Sequence, residues 1–120
     1  MEPQILVIDD EEIIRDVIKE VLELMQIPAI FAPSGPEGIV LFNEHLSHLR
    51  LVLLDVLMPV MGGVETFQEL HALKPEIKVI FMSGFPDNDA LAIQSLPGTN
   101  EFVKKPFSVQ DIMSTIQKML

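Results

Sequence analysis

The 120-residue sequence predicts an α/β fold, a parallel β-sheet coated by helices. Short, continuous apolar runs rich in β-branched residues recur along it. Several lack the alternation of a half-wet strand, which marks strands covered on both faces. Between them lie segments with apolar residues at helical spacing. Strand and helix alternate five times with short connections, which implies right-handed crossovers and a helix-coated parallel sheet.

The first run, Ile5–Ile8, is followed by a stripe of Ile14, Val17, Ile18, Val21, Leu22 and Met25. Arg15, Asp16, Lys19 and Glu20 occupy its other side, so an amphipathic helix is expected. Ala29–Ala32 supplies the second strand. A second helix over about 36–48 should turn Ile39, Val40, Phe42 and Leu46 inward. Its start, Ser34-Gly35-Pro36-Glu37, offers a capping serine, an early proline and an acidic residue. The third strand spans 51–54, and the third helix runs from about Gly63 to Leu73, stopping near Pro75. Residues 79–82 form the fourth strand, with a fourth helix beginning around Asp87-Asn88-Asp89. Phe102-Val103 is a weaker fifth strand. The last helix follows Ser108, where Ser-x-x-Asp to Asp111 has the pattern of a capping box.

Composition narrows the functional classes. Hydrophobic residues make up 48 % and charged residues 22 %, enough apolar material for a real core and too much for a disordered chain. One domain over residues 1–120 is expected, without linker or internal repeat, the last helix ending with the chain. With no cysteine, disulfides, thiolate zinc sites and cysteine nucleophiles are excluded. Acidic residues outnumber basic ones 18 to 8, for a formal charge of -10. That charge repels phosphate backbones and anionic lipid, arguing against direct nucleic acid or membrane binding. Neither a membrane-spanning run nor a leader pattern is present, and a soluble cytoplasmic domain is expected.

In open parallel sheets, ligands bind at the carboxyl ends of the strands. Here those ends carry Asp9-Asp10, Asp55, Ser83-Gly84 and Lys104-Lys105-Pro106. Converging carboxylates repel, by about 4 kcal/mol for two unit charges 4 Å apart at an effective dielectric of ~20. Either their pKa values rise or a cation sits among them. An all-oxygen site suits Mg²⁺, which shares its coordination with phosphate, while a lysine and a hydroxyl suit the remaining phosphoryl oxygens. The pattern points to Mg²⁺-assisted phosphoryl transfer to a carboxylate. Asp55, alone on a central strand, is the candidate nucleophile; Asp9 and Asp10 are the candidate metal holders.

These segments resemble the receiver domains of two-component response regulators. The matching pieces are Ile5-Leu6-Val7-Ile8-Asp9-Asp10-Glu11, Leu51-Val52-Leu53-Leu54-Asp55 with Val56-Leu57-Met58-Pro59-Val60-Met61-Gly62-Gly63, Val79-Ile80-Phe81-Met82-Ser83-Gly84 and Phe102-Val103-Lys104-Lys105-Pro106-Phe107. The resemblance implies a flavodoxin-like (βα)5 three-layer sandwich with strand order 2-1-3-4-5. It implies that Asp55 accepts phosphate from a phosphohistidine on a sensor histidine kinase or histidine phosphotransfer protein. Asp10, Asp9, Asp55 and the Leu57 carbonyl would hold Mg²⁺, with Asp9 acting largely through water. Ser83 would take one phosphoryl oxygen and Lys105 another, and the Lys105–Pro106 bond would be cis. Phe102 occupies the aromatic switch position, moving inward with Ser83 and remodelling the face of the fourth helix, fifth strand and fifth helix. The output partner is unspecified. Such a domain assists its own phosphorylation and dephosphorylation as a switch rather than working as an enzyme.

Phe102 lacks the hydroxyl of the commoner tyrosine, and Leu57 and Phe85 stand where many relatives are polar. Their bulk would exclude attacking water and prolong the acyl phosphate. Taken singly, these residues have plainer readings: Asp-Asp as a helix cap, Ser83-Gly84 as a strand exit, Lys105 as a surface lysine. Gly62-Gly63 reads as backbone freedom, Met58 and Met61 as gap fillers, and His45 and His48 as a solvated face. Two other functions compete. A Mg²⁺-dependent aspartate-nucleophile phosphatase would carry Asp-x-Asp on its first strand, where this chain has adjacent Asp9-Asp10. A non-phosphorylated interaction module would have no need of Asp10, Asp55, Ser83 and Lys105 together. A flavin phosphate would be repelled by the acidic first loop.

Overall fold

The structure, a computed structural model, describes residues 2–84 and 93–120. Its strands are β1 (Ile5–Ile8), β2 (Ala29–Ala32), β3 (Leu51–Asp55), β4 (Lys78–Ser83) and β5 (Asn100–Lys104). They form one parallel sheet in the order β2-β1-β3-β4-β5, as expected. The described helices are α1 (Glu12–Leu24), α2 (Gly35–Glu44), α3 (Gly63–Leu73) and a C-terminal helix (Val109–Met119). The expected helix start at Asp87-Asn88-Asp89, and Phe85 with it, lies outside the described residues.

Alternate residues of each central strand enter opposite layers, which is why the runs are apolar throughout. Leu6, Ile8, Val52, Leu54 and Phe81 pack with Phe42, Phe67 and Leu70 of α2 and α3. Ile5, Val7, Leu51, Leu53 and Ile80 pack with Ile18 and Val21 of α1 and Ile112 and Ile116 of the C-terminal helix. Burying each such side chain stabilises the fold by roughly 1.5–3 kcal/mol, an upper figure because the unfolded chain is already partly collapsed.

The helix starts follow their capping residues. Ser34 Oγ accepts from the Glu37 N–H at 3.4 Å. Ser108 and Asp111 form a reciprocal capping box, with bonds of 3.0 and 3.3 Å. α2 ends at Glu44 rather than near residue 48. Lys74 Nζ donates to the carbonyls of Leu46 and Leu49, both at 2.7 Å, and so holds the chain as it leaves the helix. Val40 is exposed rather than inward. Gly35, Gly38 and Phe42 form the buried stripe at helical spacing, which leaves Val40 on the far side.

The two glycines after β3 do not supply the expected backbone freedom. Among the described residues, positive φ falls on Gln26, Val60 and Gly98. Val60 has φ 68 and is fully exposed, inside a tight turn closed by Met61 N–H donating to Pro59 O at 2.7 Å. Gly63 instead permits close approach. A Cβ there would lie 2.4 Å from the Asp55 carbonyl oxygen and 2.7 Å from Val56 Cα. Both are backbone atoms, so α3 must move away from the strand end that carries Asp55. Gly63→Ala is expected to destabilise by on the order of 2–4 kcal/mol in urea unfolding, although alanine is the better helix former. A neutral or stabilising result would show that the α3 start yields easily.

Candidate functional site

Parallel strands bring their carboxyl ends to one edge, so Asp9, Asp55, Ser83 and Lys105 meet there despite wide separation in sequence. Asp9 follows β1, Asp55 ends β3 and Ser83 ends β4; all three are buried. Lys105 follows β5, its N–H donating to Ser83 O at 2.7 Å, and the Lys105–Pro106 peptide is cis.

The Lys105 ammonium stands between three carboxylates: Asp9 Oδ2 at 2.8 Å, Glu11 Oε1 at 3.1 Å and Asp55 Oδ1 at 3.2 Å. Asp9 Oδ1 accepts from the Glu11 N–H at 2.9 Å, and Arg15 Nη1 donates to the Asp9 carbonyl at 2.8 Å. These bonds fix the turn from β1 into α1. Glu11 is the N-cap residue of α1, yet its side chain makes no capping bond. The plain helix-cap reading of Asp9-Asp10 therefore gives way: Asp9 serves the turn and Asp10 is exposed.

Burial, and then the negative charge of Asp9, push the Asp55 pKa up to about 7, with Lys105 pulling the other way. Burial opposes the charge on Lys105, but Asp9, Asp55 and Glu11 outweigh it and hold its pKa above the ordinary lysine range. Asp55 and Lys105 open into a cavity of about 360 Å³ that Glu11, Ile14 and Leu57 also line. Leu57 is exposed. Phe102 is half-buried opposite Phe81, against the α2–α3 core layer.

Asp9, Asp10, Glu11 and Asp55 can each offer a carboxylate oxygen with all four within 4.8 Å of one another. Three of these four carboxylates lie within 3.2 Å of the Lys105 ammonium, and the buried Asp9 Oδ2, though one of the three, receives no well-directed hydrogen bond. An all-oxygen set with surplus negative charge and an unsatisfied buried acceptor fits a hard divalent cation.

Glu11 is the participant that sequence patterning did not single out. Its signal was the choice of glutamate at a helix N-cap, where Ser, Thr, Asp or Asn is usual. His45 and His48 stay peripheral, 3.8 and 3.9 Å from Glu2 Oε2 and beyond hydrogen-bonding reach. No helix among the described residues is long and apolar enough to cross a membrane.

Known proteins resemble this chain in both sequence and fold. The family model "Response regulator receiver domain" matches residues 5–117. The chain is 33 % identical over 118 residues to the sensor kinase CckA of Brucella abortus, covering 97 % of this chain and 12 % of that protein. It is 29 % identical over 117 residues to the probable C4-dicarboxylate response regulator DctR of Bacillus subtilis, covering 96 % of this chain and 51 % of the relative. The chemotaxis protein CheY of Halobacterium salinarum is 26 % identical over 120 residues, covering 100 % of this chain and 98 % of its own. The chain thus spans an eighth to a half of the first two relatives and nearly all of the third. A receiver domain crystal structure from Clostridium thermocellum superposes with TM-score 0.86 at 33 % identity, over 98 % of this chain and 93 % of that one. From these matches, and from the acidic edge with its lysine, the chain belongs to the response regulator receiver domains of two-component signalling.

Proposed function

We propose that this receiver domain is a phosphoacceptor switch in which Asp55 takes a phosphoryl group from a phosphohistidine. The observation that carries the reading is the buried Asp55 carboxylate 3.2 Å from the Lys105 ammonium, within a cluster of four carboxylates. An Asp55 oxygen attacks phosphorus, the P–N bond breaks, and its electron pair returns to the donor imidazole. Lys105 neutralises one phosphoryl oxygen and the Ser83 hydroxyl donates to another. Asp9, Asp10, Asp55 and the Leu57 carbonyl would hold Mg²⁺, which supplies charge neutralisation to the phosphoryl and carboxylate oxygens. The donor is a sensor histidine kinase or a histidine phosphotransfer protein.

Read-out then passes through Ser83 to Phe102 and the face around β5 and the C-terminal helix, toward an output partner. The surplus acidic charge speaks against direct nucleic acid or membrane contact. In this reading residues 1–120 act as one cytoplasmic domain, and the domain promotes its own phosphorylation without turning over a separate substrate.

The test is intact mass after incubation with acetyl phosphate and Mg²⁺, repeated with phosphorylated kinase. An acid-stable, base-labile adduct on the wild type, absent from Asp55→Asn, is the expected result. Leu57→Asn should shorten the adduct's half-life several-fold by admitting water. No adduct with an active cognate donor would turn the reading to a non-phosphorylated interaction module, and steady release of phosphate from small esters would turn it to a phosphatase.

A further inference from the structure

We propose that Glu11 is a positioning residue: in the resting domain its carboxylate occupies the place on the Lys105 ammonium that a phosphoryl oxygen must take. This rests on the phosphoacceptor reading above and adds which contact gives way. An ammonium has three N–H donors; one makes a 3.1 Å hydrogen bond to Glu11 Oε1, while Asp9 Oδ2, 2.8 Å away, receives no well-directed one. A phosphoryl oxygen reaching Lys105 from the cavity that Lys105 and Glu11 share competes for the N–H that Glu11 holds.

The three partners differ in how readily they leave. Asp9 is buried and tied by the Glu11 N–H, so its release would strand a charge away from water. Asp55 is the acceptor itself. The Glu11 side chain is 53 % exposed, makes no bond at the α1 cap, and lines the mouth of the cavity. It returns to water at little cost, as exposed ion pairs do. Its negative charge at the mouth also opposes a dianionic donor until it swings away. Glu11 is thus a latch on Lys105, closed at rest and open once a phosphoryl group is present.

The experiment compares full-chain wild type, Glu11→Gln and Glu11→Ala at saturating Mg²⁺ and low ionic strength, with acetyl phosphate as donor. Both variants are expected to lower the half-saturating donor concentration by about two- to five-fold. The Lys105 Nζ resonance, followed by ¹⁵N NMR, should differ between wild type and Glu11→Gln at rest and coincide once both carry beryllofluoride. An unchanged or raised half-saturating concentration, or an identical resting resonance, would overturn the latch. A wild type that takes no phosphate from any donor would instead defeat the phosphoacceptor reading, and the resting lysine signal would still decide whether Glu11 holds Lys105.

Discussion

Asp55→Asn is expected to make the metal-free domain more stable, by about 4 kcal/mol at pH 8. The cause is the burial and the Asp9 charge that push the Asp55 pKa from 3.8 to about 7. Below pH 4 the carboxyl is protonated in both folded and unfolded chains, and the asparagine gains little. Between about 4 and 7 the unfolded chain has lost its proton while the folded one keeps it. Wild-type stability therefore falls by ~1.4 kcal/mol per pH unit over that window. Above pH 7 both forms are ionised and the penalty stays at its full size. Urea unfolding in EDTA at pH 4, 6 and 8 measures this directly. A stability difference that does not change with pH would mean that Asp55 ionises freely in the fold, with Lys105 offsetting both its burial and its neighbour. Adding Mg²⁺ should narrow the gap at pH 8, because a cation bound to the folded wild type favours that state by mass action.

The same residues show how much of the fold is legible in the sequence. Apolar runs such as Ile5–Ile8 carry their burial on both faces in their composition, so the parallel sheet was legible, and with it the edge holding Asp9, Asp55, Ser83 and Lys105. Strand order came from the family resemblance, since periodicity alone orders no strands. Features depending on one particular approach of distant atoms were not legible. Glu11 meets Lys105 across 94 residues, and nothing local marks that contact except an unusual cap. Gly63 reads in sequence as backbone freedom, but its need is for space against the Asp55 carbonyl, while the positive φ falls on Val60, which composition would never nominate. Val40 was misplaced because three apolar residues, Ile39, Val40 and Leu41, run together, and only the packing of Gly38 and Phe42 against the sheet fixes the helix rotation.

Lys105→Met tests the opposite side of the same balance and should carry the largest effect. Methionine keeps most of the aliphatic stem and removes the ammonium that faces Asp9, Glu11 and Asp55. Two of those carboxylates are buried, and breaking a buried pair by deleting one partner typically costs about 3–5 kcal/mol. The loss should appear at pH 8 without divalent cations and shrink toward pH 5. There Asp55, its pKa already near 7 and rising further once the lysine is gone, takes up a proton and loses its charge. Mg²⁺ should raise the melting temperature of Lys105→Met more than that of wild type, since a divalent cation then supplies the missing positive charge. Asp55→Asn in the same chain should recover much of the loss, and the double-mutant cycle reads the coupling. If Lys105→Met unfolds no more easily than wild type, or Asp55→Asn fails to rescue it, the lysine is not what holds these carboxylates together. In the expected case the domain at rest depends on a cation at this edge, and Lys105 is the one the chain provides for itself.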